Sequence, residues 1–330
     1  EFPACTPGAN PDLSTFWIAH LDGRLGLEAA LAAAEGAYEV EEASPILLEP
    51  LDDLTTPAGS GLETGWSRPG AAVSGARGGS FNASAPNDSM WGLCYWLQQT
   101  SRRDLHALEA WDITRGDPSS VIAIIDTGVL RYHPDLGGTT AGEDGNLWTN
   151  ATEKNGLPGV DDDGNGFVDD AWGWDYVKLD SAALARPGED WRDADNDPND
   201  FAVHGTAVAG VAAAIANNVS GVVGVAPGAR IMALRAGYSA AVNPAGVVDL
   251  SWAAQAIDYA VRNGATVINC SFGSDQQPDI SAAVTAATAA GVLVVTASGN
   301  NGTHHYLGDR DDVISVAAAS QNDRLTLFSN

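Results

Sequence analysis

The sequence predicts an α/β fold: a doubly wound, mostly parallel sheet with helices on both faces, preceded by a small α+β extension. Three observations carry this expectation. Apolar, β-branched runs recur at Val121–Ile125, Arg230–Leu234, Ala265–Cys270, Val292–Ala297 and Asp311–Ala317. Stretches of helical length separate them at Gly205–Asn217, Leu250–Asn263 and Ile280–Ala290. Strands that are apolar throughout are covered on both faces, and their alternation with helices makes βαβ units. Hydrophobic residues make up 45% of the 330, enough for a substantial core.

Taken in order, residues 1–51 read as the small mixed unit, with a helix-like Leu25–Glu35 and strand candidates Ala37–Val40 and Ile46–Leu48. Gly, Pro, Ser and Thr then dominate without periodicity, so residues 52–86 read as a linker. Residues 87–330 form the α/β domain. Between its first strand and first long helix lies an acidic insertion. Asp161–Asp200 holds thirteen acidic residues against three basic ones. Like charges at that density repel unless a cation neutralises them.

The formal charge of −27 argues against non-specific binding of nucleic acid or anionic membranes. The longest apolar runs, Ala207–Ala216 and Gly291–Ala297, fall short of the ~20 residues a spanning helix needs. The three cysteines, Cys5, Cys94 and Cys270, make no framework and no CxxC pair. Cys270 reads as a buried thiol, and Cys5 and Cys94 are able to pair only in an oxidising compartment. The chain opens Glu1-Phe2-Pro3, as a processed or engineered start does. Two lysines on an acidic chain suit a secreted protein.

In open parallel sheets, ligands and reactive groups gather at the carboxyl ends of strands. Asp126 stands at such an end, directly after Val121–Ile125. His204 opens a helix in His204-Gly-Thr-Ala-Val-Ala-Gly210, and Asn300 follows a strand in Ser298-Gly-Asn300. Each alone reads as a cap, a solvated side chain or a turn. Together they have a chemical logic. A carboxylate orients an imidazole, the imidazole serves a hydroxyl nucleophile as general base, and an amide N–H meets the developing oxyanion.

The sequence here resembles the subtilisin-like serine proteases, or subtilases. Ile124-Ile-Asp126-Thr-Gly128-Val and Tyr132-His-Pro-Asp-Leu136 look like the Asp motif and its sequel. Val203-His204-Gly-Thr-Ala-Val-Ala-Gly210 looks like the His motif, Asn269-Cys-Ser-Phe-Gly273 the substrate-binding strand, and Ala297-Ser-Gly-Asn300 the oxyanion segment. Pro86-Asn-Asp88 with Trp91-Gly-Leu93 is similar to the usual start of the mature domain. The resemblance implies that Asp126 orients His204, that His204 is base and acid, and that Asn300 donates to the oxyanion. It implies polypeptide substrates, held by Ser271, Phe272 and Gly273 through strand addition and by a second wall of Ala297, Ser298 and Gly299. It also makes Glu28–Glu49 look like the end of a propeptide, with an ordinary extension as the alternative.

Two departures stand out. Ala207 replaces a second His common in the family, which predicts a packing change only. The family's nucleophile lies in a Gly-Thr-Ser segment downstream of the oxyanion Asn, and the chain contains no Gly-Thr-Ser. Ser329 looks like an ordinary position ahead of such a segment. The expectation is that a second polypeptide, the C-terminal remainder of the same precursor, completes the domain with the catalytic serine. The competing reading is a pseudoprotease that binds peptides without cutting them. A metal hydrolase is poorer, since His204 lacks an HxxxH or HExxH partner.

The acidic insertion carries a calcium-loop pattern. Asp161, Asp163, Asn165 and Gly166 match the start of an EF-hand loop, but Trp172 stands where its bidentate Glu belongs. Asp169 or Asp170 is expected to close the shell. Asp193, Asp195, Asp197 and Asp200 form a second, weaker candidate, and a merely solvated loop is the alternative for both.

Overall fold

The computed structural model describes residues 84–137, 144–241, 246–273, 278–300, 302 and 305–330. The 1–51 extension, Cys5 and all but the last residues of the 52–86 linker lie outside the described residues.

In chain order the elements are α1 (Ala107–Trp111), β1 (Val121–Asp126), α2 (Ala151–Lys154), β2 (Gly173–Asp175), α3 (His204–Ala213), β3 (Arg230–Arg235), β4 (Gly237–Tyr238), β5 (Val247–Val248), α4 (Leu250–Arg262), β6 (Val267–Cys270), α5 (Pro278–Ala289), β7 (Leu293–Ala297) and β8 (Ile314–Val316). Six strands make one parallel sheet in the order β2-β3-β1-β6-β7-β8, while β4 and β5 pair antiparallel. β1 is central. Ile122 pairs in register with Ile231 of β3 on one side and Val267 of β6 on the other. The chain therefore builds outward from β1 in both directions, and the crevice at a switch point opens beside its carboxyl end.

β1 shows why its run is apolar throughout. Val121, Ala123 and Ile125 join a core with Met232, Leu234, Ile257 and Ile268. Ile124 points into a separate core with Ala209, Ala213 and Ile231. Alternate residues thus serve opposite faces, each covered. Burial of each of the Val, Ile, Leu and Met side chains among these stabilises by about 1.5–3 kcal/mol.

The helix ends follow local chemistry in some places and tertiary bonds in others. α4 starts where the Asp249 carboxylate accepts the N–H groups of Ser251 (2.8 Å) and Trp252 (3.2 Å), and Gly264, at φ +80°, lies just beyond its end. α5 starts two residues earlier than expected because Pro278 serves as its first residue. α3 stops at Ala213 rather than Asn217. Beyond it, Ile215 donates to the Asp135 carbonyl (2.8 Å) and Asn217 to the Asp88 carboxylate (2.7 Å), so long-range bonds replace helical ones. Cys94 and Cys270 are buried free thiols.

The sequence pattern did not announce β2. It sits inside the acidic insertion, where Gly173, at φ +130°, lies so close to Ala233 that a side chain would strike its carbonyl. The far side of the sheet also departs from expectation. Leu293 of β7 is 55% exposed, and Ile314 and Val316 of β8 are each 50% exposed, so one apolar face there is uncovered among the described residues. Within those residues, no helix is long and apolar enough to cross a membrane.

Candidate active site

β1 ends on Asp126, which is 1% exposed, and α3 begins on His204. Their side chains meet: His204 Nδ1 lies 2.7 Å from Asp126 Oδ1. The same oxygen accepts the Thr127 N–H at 2.7 Å, while Oδ2 is buried with no donor among the described residues. A buried carboxylate with these neighbours selects the imidazole tautomer that carries its proton on Nδ1. That leaves Nε2 as the basic atom. The His204 side chain is 48% exposed, and the described residues give Nε2 no hydrogen-bond partner. The Asp126 charge raises the imidazole pKa above its ordinary value, against the opposing effect of burial.

The close approach of β1 and α3 depends on small residues. A Cβ at Gly205 would collide with the Gly128 carbonyl and lie 3.0 Å from the Asp126 Cβ. Val203, just ahead of the helix, has φ +70°, a costly conformation for a β-branched residue. Its N–H donates to Asp200 Oδ1 at 2.7 Å, one of several bonds that hold the turn. Sequence reasoning assigned Asp200 to the second acidic loop; the structure places it under the His204 helix. No helix-start signal pointed to it, since the capping position directly before His204 is held by Val203.

The sheet brings the expected substrate-binding segments to the same rim. β6 is the neighbour of β1, and β7 is next, so Ala297 stands roughly 10 Å from Asp126 across the sheet. Ser271 follows β6 and its hydroxyl accepts from Asn269 Nδ2 at 2.8 Å. Phe272 packs against the main core. Ser298 donates through its N–H to Val316 (2.9 Å), and Asn330 donates through its N–H to the Gly299 carbonyl (2.9 Å). Asn300 is exposed in the turn after β7. The His305 ring lies between the two walls: a Cβ at Gly273 would sit 2.7 Å from its Cε1, and one at Gly299 would overlap its Cδ2. Nothing in the sequence pattern had singled out His305.

A family model described as the subtilase family matches residues 117–330. The chain belongs to the subtilase family. Among similar proteins is a thermophilic serine proteinase of Bacillus sp. (strain AK1), 37% identical over 76% of this chain and 50% of that protein. Thermitase of Thermoactinomyces vulgaris is 32% identical over 74% of this chain and 69% of its own length. A solved structure of a protease from Pseudoalteromonas arctica superposes with TM-score 0.56 at 26% identity, covering 75% of this chain and 69% of that one. The chain spans about half the length of the first of these relatives.

This subtilase carries its acidic insertion in two differently built parts. In the first, carboxylate oxygens of Glu153, Asp161 and Asp163 lie within 4.8 Å of one another. Asp161 and Asp163 also receive loop N–H groups, including Gly166 N–H on Asp161 at 2.8 Å and Asn165 N–H on Asp163 at 3.0 Å. The third carboxylate of this cluster is Glu153 of α2 rather than Asp169 or Asp170. The half-buried Asp169 side chain accepts the Gly159 N–H (2.7 Å). Asp170 is fully buried and accepts the Tyr259 hydroxyl at 2.6 Å, and burial holds its carboxyl above the usual range. Asn165 lends Nδ2 to Asp170 (2.9 Å), and its Oδ1 accepts the Phe167 N–H (2.7 Å). Sequence could not single out Glu153, because only folding brings α2 to the loop.

The second part already contains a cation. Asp175, Asp190 and Asp195 also approach within 4.8 Å, but the fully buried Arg235 donates to Asp175, to Glu189 and to the Asp190 carbonyl (2.7 Å). A buried guanidinium needs such partners, and its charge offsets part of the carboxylate charge there.

Proposed function

We propose that this subtilase is a secreted serine endopeptidase that cleaves polypeptides through an acyl-enzyme. The single observation that carries the reading is the 2.7 Å contact between His204 Nδ1 and buried Asp126, with Nε2 left without a described partner. In the first half-reaction a serine hydroxyl attacks the scissile carbonyl and its proton passes to His204 Nε2. The oxyanion of the tetrahedral intermediate accepts from the Asn300 side-chain N–H. The C–N bond then breaks and His204 returns the proton to the leaving amine. Water repeats the cycle on the acyl ester and releases the acid. Asp126 holds the ring throughout and stabilises its protonated form.

The nucleophile is read as the serine of a further segment of the same precursor. Two features support this: the chain contains no Gly-Thr-Ser, and the exposed apolar side chains of β7 and β8 are a surface that such a segment would cover. Substrate backbone would pair beside Ser271, Phe272 and Gly273, opposite Ala297, Ser298 and Gly299. The side chain before the scissile bond would meet the His305 ring between them. Two lysines in an acidic chain fit an extracellular setting.

Calcium is the proposed structural ion of the first acidic part. The donor set there is all oxygen, and three clustered carboxylates suit a hard divalent cation. Glu153, Asp161 and Asp163 would hold it and fix the insertion in place. Labelling by a fluorophosphonate probe tests the catalytic reading. Full-length protein should react at a serine in a Gly-Thr-Ser segment, and loss of labelling in His204→Ala should follow. Absence of both the segment and the label would leave a peptide-binding pseudoprotease.

A further inference from the structure

Asp200 is a side chain that the proteolytic chemistry does not use, yet it is buried at the foot of the His204 helix. Both of its oxygens are filled by donors. Oδ1 accepts from the Thr127 hydroxyl (2.9 Å), the Ala202 N–H (3.0 Å) and the Val203 N–H (2.7 Å). Oδ2 accepts the Thr206 N–H (2.8 Å) and the Thr206 hydroxyl (2.6 Å).

The two hydroxyls cannot point elsewhere. Thr127 Oγ1 accepts the Gly205 N–H at 3.0 Å, and Thr206 Oγ1 accepts the Leu130 N–H at 2.9 Å. Each therefore directs its own hydrogen at Asp200. Burial and the nearby Asp126 charge raise the Asp200 pKa, and the five donors act the other way, each of them favouring the anion. The network also completes the start of α3. Gly205 and Thr206 are its second and third residues, whose N–H groups have no partner within the helix. Thr127 takes one and Asp200 the other, and an anion at a helix start is favoured by the helix dipole.

Thr127 is the residue after Asp126, and Gly205 is the residue after His204. One carboxylate thus ties the backbone beside the acid to the backbone beside the base. We propose that Asp200 is a positioning residue that sets the distance and orientation of the Asp126–His204 pair by clamping Thr127 to the first turn of α3. This rests on the proteolytic reading for its consequence in turnover, but not for the geometry itself.

The test uses the chain and the full-length protease in parallel. In Asp200→Asn, an amide N–H₂ group replaces one acceptor oxygen and faces donors. The downfield Nδ1 proton of His204 should move to higher field in NMR, and the imidazole pKa should fall. In the protease, kcat should drop roughly ten- to a hundredfold with KM little changed, as expected for a small misplacement of the base. Asp126 and Asp200 are the carboxylates whose charges act on the ring, so charge loss alone would also lower its pKa. Thr127→Val separates the two effects, since it breaks the clamp without altering charge. It should also weaken the Nδ1 signal and lower kcat, and it serves as the decisive variant if Asp200→Asn does not fold. A response in Asp200→Asn without one in Thr127→Val would reduce Asp200 to an electrostatic neighbour and overturn the proposal. So would a folded Asp200→Asn with an unchanged Nδ1 proton. If the ring responds as expected in both variants but full-length protein shows no proteolysis, the clamp stands and the catalytic reading fails.

Discussion

The two sides of the cleft are built on unequal foundations. On one side, Asp126 and His204 sit above a buried network in which Asp200, Thr127 and Thr206 leave little freedom. On the other, Asn300 lies exposed in a turn after β7, beside strands with half-exposed apolar side chains. Groups that must share a proton need their separation held to a fraction of an ångström, and buried, fully paired polar groups supply that rigidity. On the proposed reading, an oxyanion donor needs only to be in place when substrate is bound. The contrast also sorts the two acidic segments. The one next to the His204 helix contains the buried Arg235, which pairs with Asp175 and Glu189, whereas the Glu153–Asp163 cluster has no such cation among the described residues.

The first way to break this comparison is Asp126→Asn in the full-length protease. It should lower kcat by about 10⁴, because the amide favours the wrong imidazole tautomer. Wild-type kcat/KM should rise with pH along a limb centred above the imidazole's ordinary ~6.5, and the substitution should move that limb down. The sign for stability follows from the same raised pKa. The folded state binds the His204 proton more tightly, so the pair's contribution is fully present below ~6.5 and fades as pH passes the folded pKa. Chemical denaturation of both proteins at several pH values should therefore show their stabilities converging at alkaline pH.

Asn300→Ala probes the thinner side. It should cost on the order of 10²–10³ in kcat with KM almost unchanged and with melting unaffected. That size is the one established for a subtilisin's oxyanion donor. A comparable loss of stability would show that the Asn300 turn is as rigid as its counterpart. Calcium should have the smallest effect. At a hundredfold excess over Kd it should raise Tm by roughly 5–10 °C. Glu153→Gln should weaken this response more than Asp169→Asn in calorimetric titration. Equal effects would restore the loop closure that sequence spacing suggested.

Most of the framework was legible before folding. The β1 and β3 runs are apolar through their middles because both faces of those strands are covered, and that pattern is local. The meeting of Asp126 and His204 was legible because one ends a recognisable strand and the other opens a recognisable helix. Helix ends were legible only where local chemistry set them, as with Asp249 and Gly264 at α4.

What the amino-acid order alone determined was the alternation of strand and helix, and with it the strand end and helix start where a carboxylate and an imidazole meet. Tertiary structure alone decided which acidic residues serve which purpose. Asp200 went to the helix of the base, Asp170 to Tyr259, Asp175 and Glu189 to Arg235, and Glu153 joined a loop eight residues further on. A carboxylate has no intrinsic direction along the chain; its role is set by which donors or charges folding brings within about 3 Å of it.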